Sequence, residues 1–476
     1  VAPNGSSGAK GTIDDPWSYQ HAFAGASGKI EPGDTVWFRA GTYTLAQHRP
    51  ITVGGTGETS RVVFRAYPGE RATFAATGAD DFDVIDLEAS WLTLWDLEIT
   101  NTNTDRASNR GASIYNNGNC NRFLNLVVHD GGNGFYAEPA RYGVEIIGSI
   151  FYNNGWHDVG RGHGHGMYIK SNPTPPNACR PGQARIVVKD NVAFNQFGFG
   201  IHAYTDRPGE SVSGALLEGN VLFNNGSVVD VSDSHRSSNL LLAGDAQVVI
   251  VNNDTVRGNM SYYSPASKLA NPGAGIRVGY EQGAWTSRND HAVVTDNYSF
   301  GGSSALQIRN WDTITVAGNI AAGPNVAELD DPTLANYTWD ANTYYSDESS
   351  SAWYFHGSLT WQQWKDATGL GGTDVVLGPP SAPKIFVRSI PYVTGRGHIV
   401  VYNWSSAASV PIDLSPVLSA GDSFDIWNVQ ALFAAPVLSG KYTSGTVTLP
   451  MAGVTPPAPL GGTRTPPVTG PEFDVF

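Results

Sequence analysis

The chain has 476 residues, 55 of them Gly, with 15% charged and 11% aromatic residues, a composition that suits a protein built by repetition around a long core. Its formal net charge of -14 excludes a duplex nucleic-acid partner, which needs a basic face to displace counterions. No apolar run approaches the ~20 residues that span a bilayer, so no membrane partner is expected.

The opening VAPNGSSG carries no charged-then-apolar leader, and the sequence reads as a mature, exported chain that works as a monomer. Cys120 and Cys179 leave two arrangements open, one disulfide or two buried thiols. Within residues 1–45, GTIDDPWSYQHAFAG offers Asp14 or Asp15 as the cap of a short helix with Pro16 in its first turn. PGDTVWFRAGTY then supplies the first strand. This opening resembles the N-terminal cap of secreted right-handed parallel β-helix proteins, in which a short amphipathic helix covers the open end of the coil.

From Asp96 onward a small polar residue, often Asn, repeatedly precedes a short apolar stretch: Asp96, Asn125, Ser149, Asn191, Asn220, Asn259, Asn297 and Asn319. Ser149 follows Asn125 by 24 residues and Asn319 follows Asn297 by 22, the length of one solenoid coil; the longer spacings need insertions. Stacked Asn side chains bonded along the coil axis explain why a polar residue recurs there. A second strand recurs out of phase, usually opened by Gly or Ala: GFYAE, GMYIK, GIHAY, GIRVG and ALQIR, with NLLLA near Asn239 as the remaining member.

In each of these strands the first and third residues after the opener face the core, so the second and fourth face out. Stacking predicts one outward column of Tyr136, Tyr168, His202, Leu241, Arg277 and Gln307, and another of Glu138, Lys170, Tyr204, Gly279 and Arg309. The insertions, at 154–163, 226–238 and 264–273 before this strand and 171–184, 205–213 and 281–291 after it, wall the same face. A groove is expected over the two columns.

After about residue 325 the repeat fades. LTWQQWKDATGL reads as a short amphipathic helix, and the strands IFVRS, HIVVYNW, VPIDL, DSFDIWNV and GTVTL predict a small β-sandwich-like module. The fold class is therefore all-β: a cap and first strand over 1–45, a right-handed parallel β-helix over 46–384, and a β module with an extended tail over 385–476.

The groove gathers Lys170, Tyr204, His202, His165 and Tyr168, with Arg161, Arg180, Arg207 and Arg277 around them, a basic patch in an acidic protein. GMYIKSN resembles the Lys-Ser strand of β-helical alginate and chondroitin lyases, which implies Lys170 as the base of a β-elimination. Tyr204 or His202 is then the acid, and Arg161 or Arg277 neutralises the substrate carboxylate. Those families place an arginine on the next coil where Tyr204 stands here. Tyr136, Glu138, His157, Asp158, Arg207, Arg277, Arg309 and Tyr280 complete the expected substrate-binding set. In the bland alternative, Glu138 and Lys170 form a ladder ion pair worth ~0–1 kcal/mol and the tyrosines merely cover a sheet.

Hydrolysis is the second reading, with Asp130, Glu138, Asp158, Asp206 and Glu281 as candidate carboxylates. GHG at 164–166 and NTD at 103–105 resemble polygalacturonase motifs, but Gly132 and Asn133 stand where that family has its aspartate pair. A metal is the third: His163, His165 and Asp158 for a transition metal, or Ca2+ on loop carboxylates as the resembling lyases imply. No organic cofactor is expected. A non-catalytic carbohydrate-binding or surface β-helix protein is the remaining class.

Overall fold

Two residues separate the end of one strand at Ile147 from the start of the next at Ile150, and the same step recurs at Lys189 to Val192, Glu218 to Val221 and Arg257 to Met260. The first residue of each step has left-handed backbone (Gly148, Asp190, Gly219, Gly258), a conformation that Gly, Asn and Asp tolerate best. This turn repeats because every coil must bend the same way there. In the computed structural model, residues 1–77, 82–158, 161–171, 179–180, 185–229, 237–245, 251–264, 272–280 and 289–476 are described, and they form a three-sided parallel β-helix. Its sheets hold 11, 12 and 12 strands. Leu92–Trp95, Leu97–Asn101 and Ile114–Asn116 make one representative coil.

The interior is continuous. On the first sheet Phe64, Leu94, Phe123, Ile146, Val188 and Leu217 stack in register, each at most 1% exposed. Burying each such side chain contributes roughly 1.5–3 kcal/mol.

The expected Asn ladder is present, shifted by one residue at its early members. Asn191, Asn220, Asn259, Asn297, Asn319 and Asn342 each pass an amide N–H to the next rung, at 2.8 to 3.0 Å until the last reaches Asp374. Register places Val127 opposite Ile150, so Leu126, not Asn125, is the neighbour of Ser149; the Leu126 N–H donates to Ser149 Oγ at 3.0 Å. Asp96 and Asn125 occupy the left-handed turn position instead. A second ladder, invisible in the repeat, runs at the next corner. There Asn154, Gln196, Asn225 and Asn239 are linked by backbone N–H donors at 2.9 to 3.3 Å.

The ends differ from expectation. Helix α1 (Tyr19–Phe23) starts after Ser18, whose hydroxyl caps it; Asp15 accepts from Lys10 N–H, and Trp17 bridges to Ser6 in extended conformation, which moves the helix start past Pro16. Phe23 stacks on Phe64 and Phe74 and closes the core. At the other end the coil continues past 325, where the sequence repeat fades. Ala327–Asp330, Tyr337–Asp340, Thr343–Tyr345 and Trp353–Tyr354 continue the three sheets. Helix α2 (Trp361–Thr368), with a Thr360 and Gln363 capping box, buries Trp361 and Trp364 over them.

The three outer faces have different fates. The second sheet is covered by the C-terminal strands Lys384–Ser389, Gly397–Tyr402 and Phe473–Val475, with Phe473 stacked on Tyr262 at 4.3 Å and Tyr402 against Tyr298 at 4.6 Å. The extended tail then crosses the corner: Leu460 N–H donates to Asp130 at 2.8 Å, and Arg464 donates to Val229 O at 2.9 Å. On the first sheet, Glu145 takes Arg122 and Arg180, and Glu218 takes Lys189 and Arg257. The third sheet remains as the face flanked by the long connections. Residues 159–160, 172–178, 181–184, 230–236, 265–271 and 281–288 of those connections lie outside the described residues. Among the described residues no helix is long and apolar enough to cross a membrane.

Candidate functional site on the third sheet

Glycine opens the third-sheet strands because there is no room for a side chain. A Cβ on Gly134 would stand 2.5 Å from Gly166 O, and one on Gly166 would stand 2.5 Å from Gly200 O. The strands that follow alternate as expected, with Phe135, Met167, Ile201, Leu240 and Ile276 inward at 0% exposure. Outward, Tyr136, Tyr168, His202, Leu241, Arg277 and Gln307 lie in one register column. Tyr115 precedes them and Glu328 follows. Leu241, although outward-facing, is fully covered.

The chemistry concentrates on the rungs of Tyr168 and His202. The His202 ring lies 4.4 Å from Phe199, 4.3 Å from His165 and 5.1 Å from Tyr204. Phe199 N–H donates to His165 Nδ1 at 3.0 Å, which leaves the proton of the neutral ring on Nε2. Tyr204 meets Tyr280 at 5.3 Å, and the Arg277 guanidinium covers Tyr280 at 4.6 Å. Burial, helped by Tyr280 and Asp206, raises the Tyr204 phenol above its ordinary pKa, so it keeps its proton. Burial likewise raises Tyr168, against the pull of Lys170.

Lys170 is buried, and its partner is not Glu138. Its ammonium donates to Glu210 at 2.9 Å and lies 4.9 Å from the Tyr168 ring. Burial works against the charge, but Tyr168 and Glu210 outweigh it and the lysine pKa is raised. Glu138 instead accepts from Tyr115 at 2.7 Å. The predicted ladder pair fails because the third-sheet strands end at Ala137 and Ile169, and beyond them each side chain finds a partner on its own side.

Other expected members disperse. Arg180 lies on the first sheet with Glu145. Arg309 is buried against Glu328. Arg207 and Asp206 are exposed on a turn beside the site. Asp130 is withdrawn to the corner, held by Arg106 and His129. His163 stacks on Trp156 in the hairpin Trp156–Asp158 and Arg161–His163, while the His165 ring is tilted against that of His202. The His157 N–H donates to Arg106 O at 2.6 Å in the same hairpin. The side chains of Asp158 and Arg161, and all of Glu281, lie outside the described residues.

Among the described residues no three His, Cys, Asp or Glu side chains gather as a metal site. Of the ligands foreseen for a metal, the Asp158 side chain lies outside the described residues, and no step below runs through a metal. Glu210, Thr205 and Phe199 are the members that pattern reasoning missed. Glu210 follows Lys170 by 40 positions inside an irregular turn, where no periodicity marks it; only the insertion at 205–213 pointed to the region.

The chain thus has the fold of the right-handed parallel β-helix proteins. The family model described as "Pel9A-like, right handed beta helix region" matches residues 1–154. Among solved structures, pectate lyase Pel9A is similar at 18% identity, covering 72% of this chain and 78% of that one, with a TM-score of 0.42. A rhamnogalacturonan lyase is similar at 15% identity over 75% of this chain and 84% of that one, TM-score 0.46. A mannuronic acid specific polysaccharide family 6 lyase from human gut microbiota is similar at 14% identity over 79% and 90%, TM-score 0.42. No curated protein matches the sequence.

Proposed function

We propose that the protein is an exported enzyme that binds an extended polysaccharide along the third sheet and cleaves a uronic-acid-containing chain by β-elimination. The observation that carries this reading is the placement of an ammonium, a proton-holding phenol and an imidazole (Lys170, Tyr204 and His202) on adjacent rungs of the third sheet. The Cys120–Cys179 disulfide supports export to an oxidising compartment.

In such an elimination a base removes the proton on the carbon beside the carboxylate. That electron pair forms a double bond to the next carbon, the C–O bond there breaks, and the leaving oxygen takes a proton. Lys170, held as an ammonium, neutralises the carboxylate and so stabilises the developing negative charge. His202 removes the proton, imidazole being the side chain of this cluster suited to general-base work. Tyr204 supplies the proton to the leaving oxygen. This assignment moves Lys170 from base to cation, because an amine acts as a base only when unprotonated, and Tyr168 and Glu210 favour its charged form.

The test follows ultraviolet absorbance and new reducing ends on uronic-acid and neutral polysaccharides, with Ca2+ and with chelator. Both signals rising together on a uronic-acid polymer support elimination. Reducing ends without absorbance overturn it in favour of hydrolysis, and silence on every polymer favours a binding protein. Lys170→Arg keeping measurable elimination while Lys170→Met loses it supports the cation role; loss in both folded variants returns the lysine to the role of base.

A further inference from the structure

Lys170 makes one hydrogen bond among the described residues, and its acceptor is a side chain from a surface turn. Glu210 closes the turn 206–210, whose residues 206–209 are exposed. Its Oε2 takes Lys170 Nζ at 2.9 Å and the Thr205 hydroxyl at 2.5 Å. The turn is pinned just after Glu210 by paired backbone bonds between Ser171 and Ser211, 2.6 and 2.9 Å long. Before it, Thr205 Oγ1 accepts from Arg207 N–H at 3.2 Å. The carboxylate is therefore delivered by a short arm between two fixed points, onto an ammonium whose remaining surroundings include the rings of Tyr168 and Tyr136 at 4.9 and 5.8 Å. The side chains of Lys170 and Glu210 are 4% and 15% exposed.

A cation this buried cannot be left without an anion, because desolvation of an unpaired charge is far costlier than that of a pair. Whatever enters this end of the groove must either leave the pair intact or bring its own negative charge. A neutral sugar that displaced Glu210 would strand the ammonium, whereas a sugar carboxylate would replace one partner with another of the same chemistry.

We propose that Glu210 is a specificity-determining residue that occupies the position of a substrate carboxylate on Lys170, so that uronate units bind by exchange with it and neutral sugars are rejected. The inference rests on the uronic-acid reading of the groove above, but it concerns binding and does not require cleavage. Selectivity here comes from the penalty placed on the wrong ligand as much as from contacts with the right one.

The experiment measures binding by calorimetry of galacturonate, mannuronate, guluronate and glucuronate oligomers and of neutral galactose and glucose oligomers of equal length. The proteins are the wild type, Glu210→Gln and the charge-free double variant Lys170→Met/Glu210→Leu. Circular dichroism confirms folding, and the double variant guards against Glu210→Gln being unstable with its lone cation. The expected result is preference for one uronate oligomer in the wild type, tightened about tenfold in Glu210→Gln, and absent in the double variant. Unchanged or weakened uronate binding in folded Glu210→Gln overturns the proposal, as does retained preference in the double variant or no uronate binding by any protein. Binding that follows the expected pattern without ultraviolet product would leave this inference standing and sink the elimination reading instead.

Discussion

The ammonium of Lys170 and the carboxylate of Glu210 meet at 2.9 Å across 40 residues of sequence, one at the end of a third-sheet strand and the other on the turn after the next rung. The lysine pKa is raised and the glutamate pKa lowered, so each charge supports the other. The lysine contribution is complete below its ordinary value of 10.5 and lost as pH rises through the raised value. The glutamate contribution is complete above 4.5 and lost as pH falls through the lowered one. Lys170→Met is expected to cost roughly 3 kcal/mol across that plateau by leaving Glu210 without its cation. Lys170→Met/Glu210→Leu should recover most of it, which urea unfolding at neutral pH checks.

His129 gives a pH dependence of its own. Its ring donates toward Asp130 at 2.9 Å and Glu98 at 3.1 Å, stacks on Tyr152 at 4.7 Å and faces Phe433 of the C-terminal module. Arg71 and Arg106 bind the far sides of the same two carboxylates. Burial opposes the imidazolium, the carboxylates outweigh it, and the pKa is raised above 6.5. Its stabilisation is therefore present below 6.5 and lost as pH rises through the raised value. Melting temperature should fall across that interval in the wild type and lose this component in His129→Gln.

Asn259 links two rungs, its carbonyl accepting from Asn220 N–H and Nδ2 and its amide donating to Asn297 and Leu217 O. Asn259→Leu leaves several of these buried groups unsatisfied at about 1–3 kcal/mol each. A loss of at least ~3 kcal/mol in chemical denaturation is expected; a loss under ~1 kcal/mol would mean that the ladder is not what holds the coils in register.

Arg180 separates the structural reading from the sequence pattern. Because it pairs with Glu145 on the first sheet, Arg180→Ala should leave kcat/KM on the identified polymer within about twofold, while Tyr204→Phe lowers kcat by about 100-fold or more. A large kinetic loss in folded Arg180→Ala would put the groove on the wrong face.

Periodic features could be read from the chain alone, since each is set by local geometry that recurs every coil. Alternation along GMYIK and GIHAY determined which side chains point outward, and strand stacking then placed Tyr136, Tyr168 and His202 in one column. The Asn repeat announced its ladder, with an error of one residue at Asn125, because a left-handed Asn in a turn and a stacked Asn beside it look alike in sequence. The repeat faded from view after residue 325 because Tyr337, Trp339 and Trp353 stand where the rungs just before have Ile314, Val316 and Ala327, although Asn342 continues the ladder.

Charge partners could not be read in this way. Lys170 bonds Glu210 and not Glu138, Arg180 turns to the first sheet, and Arg309 is consumed by Glu328, because irregular turns and strand ends have no period to extrapolate. Burial of the second sheet under Tyr402 and Phe473 likewise depends on where a distant module docks. The sequence by itself determined the coil and the outward columns through repeated local geometry; tertiary packing decided which of those side chains remain available and in which charge state.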